Sequence, residues 1–302
     1  MPGQILPLAL SIMDRPVLIQ AADPALRATL ADAYAVWPAG PADGAPISLA
    51  MRTGSAAGGA PTQIEVEGAR LLLTGDGIDG WADASTLSAA CSVPESLCGQ
   101  PARLAEEVTD TLLLFLLTRS GRVPMHAAAF VCGTVAVLLA GPSGSGKSTL
   151  TLAAMSRGLR ILSDDTVYIQ LQPRLRIWGF PRPVHVFPAD APGFIGATRL
   201  RGGKLKAAIL TPPPREPPVA DQAAVVLLER GKNIRLEPVA ASVATAELSR
   251  LEAGFDLLAR ESAKAIEAVT ARGAWRLTLA RDPDRAIETI IRELGDAVRQ
   301  IP

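Results

Sequence analysis

Hydrophobic and polar positions along this chain follow three patterns, and each predicts a different element. Residues 135–140 and 223–228 are unbroken apolar runs rich in β-branched side chains, the mark of strands buried on both faces. Residues 16–20, 47–52, 125–131, 159–162, 167–171 and 275–280 read as further strands. Residues 63–74 alternate and then run apolar with Gly68 at their centre, which predicts a hairpin. Helical spacing appears over 102–119, where Leu104, Val108, Leu112, Phe115 and Leu116 recur on one stripe and Glu106, Glu107 and Asp110 fall off it. Residues 243–272 are Ala/Leu/Glu-rich and predict helix, broken near Gly254. The last helix opens on Asp282 as cap with Pro283 at its first position and runs to about Gln300.

These elements divide the chain. From about residue 99 to 302, strands and helices alternate as in an α/β domain. Residues 1–98 read as a small α+β subdomain, either a cap that recognises a partner or a structural extension. Residues 53–61 are Gly/Ala-rich and predict a surface loop. Residues 179–188 are Pro/Arg-rich, 199–206 form a basic loop, and the prolines of 211–218 predict an ordered connector or a mobile loop. No internal repeat is visible.

Composition narrows the class. Of 302 residues, 30 are Lys or Arg and 30 are Asp or Glu, so the formal net charge is +0 and gives no global pull toward nucleic acid or membrane. Aromatics are 4% of the chain against 48% hydrophobic residues, so Ala, Val, Leu and Ile must fill the core. The cysteines Cys91, Cys98 and Cys132 lack metal-ligand spacing, and Cys132 lies in a hydrophobic run. The expectation is a reduced, cytoplasmic protein. The apolar stretch 6–13 lacks a basic start and meets Asp14-Arg15 at once, and 112–117 is far too short to span a bilayer. A homo-oligomer is compatible with all of this.

The sharpest chemical signal follows the strand at 135–140. Gly141-Pro142-Ser143-Gly144-Ser145-Gly146-Lys147-Ser148 fits G-x-x-x-x-G-K-[ST], with helix-forming residues from Thr149 to Gly158 behind it. Chance gives such an octet in roughly one chain of this length in a hundred, and the strand and helix on either side make chance rarer still. Glycines let successive N–H groups point into one concavity, and the helix adds its positive end. The loop Gly141, Ser143, Gly144, Ser145, Gly146, Lys147, Ser148 and Thr149 is therefore expected to cradle a nucleoside triphosphate. Lys147 would reach the β- and γ-phosphates and the Ser148 hydroxyl would sit on Mg²⁺. ATP is the expected nucleotide, and no recognisable segment discriminates against GTP.

Asp164 and Asp165 follow a short apolar segment. Beside a phosphate loop, one such carboxylate can hold Mg²⁺ and the other can take the proton of an acceptor hydroxyl, provided the strand has ended by Asp164. A surface Asp-Asp turn is the plain alternative. His126, taken alone, reads as a structural residue, and His185 has a weaker case still. Arg182, Lys204 and Lys206 are candidates to neutralise phosphate or contact substrate, against the alternative of a solvated basic loop.

Taken together, Met125-His126, the segment Leu139 to Thr149 and Gly158 to Asp165 resemble the core of HPr kinase/phosphorylase and its relatives. His126 stands 21 positions before Lys147, and Asp164 stands 17 positions after it, which are the family's spacings. The resemblance implies a serine-directed kinase on the fold shared with phosphoenolpyruvate carboxykinase. It implies Asp164 as the base toward the acceptor hydroxyl, Asp165 at the metal, and His126 close to the first aspartate. Thr149 stands where the bifunctional enzymes usually carry Glu, and the family's downstream signature segment is absent. The chain is thus more similar to divergent members, including the peptide serine kinases found beside lasso-peptide biosynthesis. The expected function is ATP-dependent transfer to a hydroxyl, most directly a serine of a peptide or small protein. A small-molecule kinase (sugar, polyol or amino acid) and a non-catalytic nucleotide-sensing module are the alternatives.

Overall fold

The computed structural model describes residues 7–40, 44–54, 61–188, 198–201, 204–209, 216–251 and 258–298. These form a mixed α/β chain with four sheets that divides into two units, Met1–Arg122 and Val123–Pro302.

The first unit contains β1 (Leu8–Ile12), β2 (Arg15–Ala21), α1 (Pro24–Ala33), β3 (Ile47–Thr53), β4 (Gln63–Glu67), β5 (Arg70–Gly75), β6 (Ile78–Asp83) and β7 (Ser88–Val93). Its strands make one seven-stranded sheet in the order β1-β2-β3-β7-β6-β5-β4. The hairpin read at 63–74 is β4 and β5, antiparallel with Glu67 opposite Arg70. Asp23 caps α1 by accepting the Ala25 and Leu26 N–H groups at 2.8 and 3.1 Å. The helix read at 102–119 runs as α2 (Pro101–Leu104), a π-helical turn (Ala105–Thr109) and α3 (Asp110–Arg119). It packs on β3, β6 and β7, and the buried Tyr34 hydroxyl donates to Asp110 at 2.8 Å, tying α1 to α3. Because this helix buries its stripe on the front sheet, the division falls after Arg122 and not at the 98/99 boundary the sequence suggested. Of the loop read at 53–61, residues 55–60 lie outside the described residues.

The second unit is entered through β8 (Arg122–Met125) and continues with β9 (Ala128–Cys132), β10 (Val135–Ala140), α4 (Lys147–Ser156), β11 (Arg160–Ser163), β12 (Val167–Gln170), β13 (Arg176–Trp178), β14 (Val184–Val186), β15 (Thr198–Arg201), β16 (Lys204–Ile209), β17 (Val219–Ala220), β18 (Gln222–Arg230), β19 (Arg235–Val239), α5 (Ala241–Leu251), α6 (Ala259–Thr270), β20 (Ala274–Leu279) and α7 (Pro283–Val298). Its main sheet has the order β11-β9-β10-β18-β20-β19, with β10, β18 and β20 parallel. The apolar runs are unbroken because both faces are covered. Val137 and Leu139 of β10 pack with Leu150 of α4 and Ile287 and Ile290 of α7. Ala136 and Leu138 point the other way, toward Leu248 of α5 and Ile266 of α6. The α7 cap is as read, with the Arg285 N–H donating to Asp282 at 3.0 Å. Gly254 lies outside the described residues.

Two readings change here. Residues 125–131 are not one strand: β8 belongs to a second sheet, β17-β13-β12-β8, and β9 to the main one. The break is a γ-type turn centred on His126, closed by the Ala127 N–H donating to the Met125 carbonyl at 2.8 Å. Both strands are buried, so the apolar pattern runs straight through the switch. The basic segment 199–206 is not a loop either; β15 and β16 pair antiparallel with Arg201 opposite Lys204 and, with β14, make a three-stranded sheet. Val184, Val186 and Ala207 of that sheet pack on Leu152 of α4 and Ile161 of β11. Of the proline-rich stretch 211–218, residues 211–215 lie outside the described residues.

Candidate functional site

The parallel strands of the main sheet end on one side, where open α/β sheets bind their ligands. There β10 runs into the glycine-rich loop and β11 runs into Asp164-Asp165. The start of β9 lies at the same end, because Ala128 pairs with Leu139 and Ser163 with Ala129. The chain crosses between the two sheets twice here, entering the main sheet at His126–Ala127 and leaving it for the second one at 164–166. His126 and the two aspartates are therefore neighbours because both crossovers occur side by side.

Loop and crossovers wall a cleft of about 570 Å³, lined by His126, Ser143, Gly144, Gly146, Lys147, Ser148, Thr149, Asp164, Asp165, His185, Phe187, Lys206 and Arg230. That volume lies within the range of small-molecule sites. On the loop side, Gly146 is the N-cap of α4 with φ 112, and no side chain caps the helix. Its first-turn N–H groups therefore open toward the cleft with the positive end of the helix dipole. The Lys147 ammonium is buried and donates to the carbonyls of Gly141 at 2.6 Å and Pro142 at 3.4 Å. Arg230, the last residue of β18, donates to the Gly144 carbonyl at 3.1 Å, so a second cation braces the loop from the neighbouring strand.

The opposite wall is acidic, and its two carboxylates are not equivalent. Asp164 is 11% exposed and accepts the backbone N–H of His185 in β14 at 2.7 Å. Asp165 is 61% exposed, with its Oδ1 3.4 Å from Nδ1 of His126. The turn that presents them is held by the Ser163 hydroxyl, which accepts the N–H groups of Asp165 and Thr166 at 3.2 and 3.1 Å. The strand has ended before Asp164, which is the condition for both carboxylates to face one site. The histidine pairs with the second aspartate, whereas the family resemblance implied the first. Burial, then the Lys147 ammonium and more weakly Lys206, hold the His126 pKa below its ordinary value, with Asp165 pulling the other way. The ring is therefore largely neutral near pH 7.

Most of the residues singled out in the sequence come together here. Gly141 and Ser145 lie under the loop and do not line the cleft. Lys206 reaches it from β16, its ammonium 5.8 Å from the centre of the Phe187 ring. Arg182 does not line it: its guanidinium stacks 4.7 Å over Phe180 and donates to the Pro181 carbonyl at 2.8 Å. The Lys204 side chain lies outside the described residues. Two lining residues, Arg230 and Phe187, escaped the sequence reading, and a third, His185, was given only the weaker case of the two histidines. Arg230 could have been found as the first base after the apolar run 223–228. His185 and Phe187 carry no such signal, because nothing local places β14 against α4.

Several features bear on a bound group. Open N–H donors at a helix start, a lysine and an arginine on one wall form a cradle for polyphosphate oxygens. Among the described residues no group of three or more His, Cys, Asp and Glu gathers as a metal site. Mg²⁺ carried on a nucleotide needs only one or two protein oxygens, because phosphates and water complete its shell. Ser148 and Asp165 both line the cleft. No helix among the described residues is long and apolar enough to cross a membrane.

No protein-family model matches this chain, and no curated protein matches it. Among solved structures, the HPr(Ser) kinase/phosphatase from Coxiella burnetii aligns with 14% identity over 58% of this chain and 98% of that one, at a TM-score of 0.28. A superposition this loose supports neither fold nor function.

Proposed function

We propose that this protein is a phosphotransferase that moves the γ-phosphoryl group of ATP to a hydroxyl, most directly a serine side chain of a peptide or small protein. One observation carries the reading: the glycine-rich loop with Lys147 and the pair Asp164–Asp165 line the same cleft. A cradle alone would hold a nucleotide. Carboxylates facing it give the proton of an incoming hydroxyl somewhere to go, and phosphoryl transfer needs little else beyond positioning and charge stabilisation.

In this reading the α4 N-terminus and loop N–H groups bind the phosphates. Lys147 leaves the Gly141 and Pro142 carbonyls to follow the β- and γ-phosphates. Ser148 and Asp165 hold Mg²⁺, which when bound neutralises charge on the phosphate oxygens. Asp164, oriented by the His185 N–H, accepts the proton of the acceptor hydroxyl. His126, neutral, keeps Asp165 turned into the cleft, and Lys206 stabilises charge from the β16 side.

The test is transfer of label from γ-labelled ATP, with Mg²⁺, to separate pools of seryl peptides and of sugars, polyols and amino acids. Label in the peptide pool, lost in Asp164→Asn, is the expected result. Label confined to the metabolite pool would replace the acceptor class. Nucleotide bound tightly with no acceptor labelled in either pool would overturn the kinase reading and leave a nucleotide-sensing module.

A further inference from the structure

The two edges of the seven-stranded sheet are treated differently. The β1 edge is covered: Ser11 donates to the Pro38 carbonyl at 2.9 Å, Gly40 donates to the Ala9 carbonyl at 3.4 Å, and Leu10 bridges Ala39. The β4 edge has no such cover among the described residues. Among the described residues nothing pairs with its outer side, and all of its residues are exposed. Gln63–Glu67 contains no proline, no lysine and no bulge, its register with β5 being unbroken, so the only charges guarding the edge are those of Glu65 and Glu67.

The side chains on this edge are selective. Ile64 and Val66, 55% and 44% exposed, extend the row of buried Leu73 and Leu71 opposite them. Glu65 and Glu67 lie on the other face, where Leu72 and Trp81 stand in register with Glu65 and are themselves 48% and 43% exposed. An added strand would set one face against aliphatic side chains and the other against carboxylates. Such charges argue against a second copy of this chain, since antiparallel self-pairing about the middle of β4 would put Glu65 opposite Glu65. They attract a basic partner.

We propose that β4 is a docking edge for an extended polypeptide segment that alternates aliphatic and basic residues and adds to the sheet as an eighth strand. Main-chain hydrogen bonds would give the affinity, and the Ile64/Val66 row and Glu65/Glu67 would set the register and composition. The occupant is a partner polypeptide. The inference does not depend on the phosphotransfer cleft and stands or falls separately from it.

The test uses the full chain and labelled peptides of alternating Val-Lys, Val-Glu and Ser-Lys sequence, followed by fluorescence anisotropy at low and moderate salt. The Val-Lys peptide should bind best, and more weakly at the higher salt. The double substitution Glu65→Lys/Glu67→Lys should weaken it by about tenfold or more, as two rim attractions become repulsions. The milder Glu65→Gln/Glu67→Gln, which leaves exposed neutral side chains and an intact strand, should move it in the same direction by a smaller factor. Lys147→Ala, in the cleft, should change nothing. Equal binding of the Val-Lys and Val-Glu peptides, or binding unmoved by both double substitutions, would overturn the proposal. So would concentration-dependent dimerisation that either substitution abolishes, since it would make a second copy the occupant.

Discussion

Gly146→Ala is the most informative single change in the phosphate loop. Gly146 holds φ at 112, which L side chains avoid, and a Cβ there would lie 2.7 Å from Leu279 Cδ2 and 3.4 Å from the Arg230 guanidinium. Leu279 is 3% exposed and sits in the core with Ile287 and Ile290 of α7, so it has little room to turn away. The backbone strain costs of order 1–3 kcal/mol, and overpacking the core adds about 1–3 kcal/mol. A total near 4 kcal/mol corresponds to a fall in melting temperature of roughly 10 °C for a unit of this size. Gly144→Ala supplies the control, because Gly144 also has positive φ, at 81, but a Cβ there meets nothing within 4 Å. It should cost only the strain, about 1–2 kcal/mol. Thermal unfolding of the two variants, paired with titration of Mg·ATP, separates the effects. The expected result is a clearly larger drop for Gly146→Ala and at least about a tenfold loss of nucleotide affinity, since the α4 start and Arg230 must both move. Equal melting temperatures with unchanged affinity would refute the claim that this contact shapes the loop.

Other outcomes follow from the same geometry. Asp164→Asn should abolish turnover with Mg·ATP affinity near normal, while Asp165→Asn should raise the Mg²⁺ concentration needed for half-maximal rate; the reverse pattern would exchange the two roles. Arg230→Ala removes the 3.1 Å bond to the Gly144 carbonyl and should weaken nucleotide binding by about tenfold, the lower end of the worth of one charge-assisted hydrogen bond. The His126 pKa is held low in the fold, so the unfolded chain binds the extra proton first. This contribution is intact above the ordinary histidine value of about 6.5 and is lost as pH falls through that value toward the depressed one. A melting-temperature profile of His126→Asn should show a shallower acid loss than the parent; identical profiles would contradict the shift.

Local chemistry was legible in the sequence, and long-range pairing was not. The octet ending in Lys147-Ser148, the β10 strand and the α7 cap each depend on neighbours a few residues away, so their signals survive in one dimension. The break at His126 does not, because β8 and β9 are both buried and a hydrophobic run looks the same whether it stays in one sheet or changes sheets. Arg182 read as a phosphate contact for its charge, yet its guanidinium found the Phe180 ring instead. The basic run 199–206 carried a hairpin signal, Arg199-Leu200-Arg201 and Lys204-Leu205-Lys206 alternating about Gly202-Gly203, but its charge and short arms made it look like a solvated loop. His185 fixes Asp164 through its backbone N–H, a role that no side-chain pattern encodes.

The proposed function requires the cleft to hold a triphosphate between the loop and the carboxylates. Calorimetric titration of the intact protein with ATP, ADP and AMP, each with and without Mg²⁺, tests it most directly. Affinity should fall in that order, Mg²⁺ should strengthen ATP most, and Lys147→Ala should weaken ATP by about tenfold to a hundredfold while barely changing AMP. Equal affinity for AMP and ATP, or ATP binding that Lys147→Ala leaves unchanged, would contradict it.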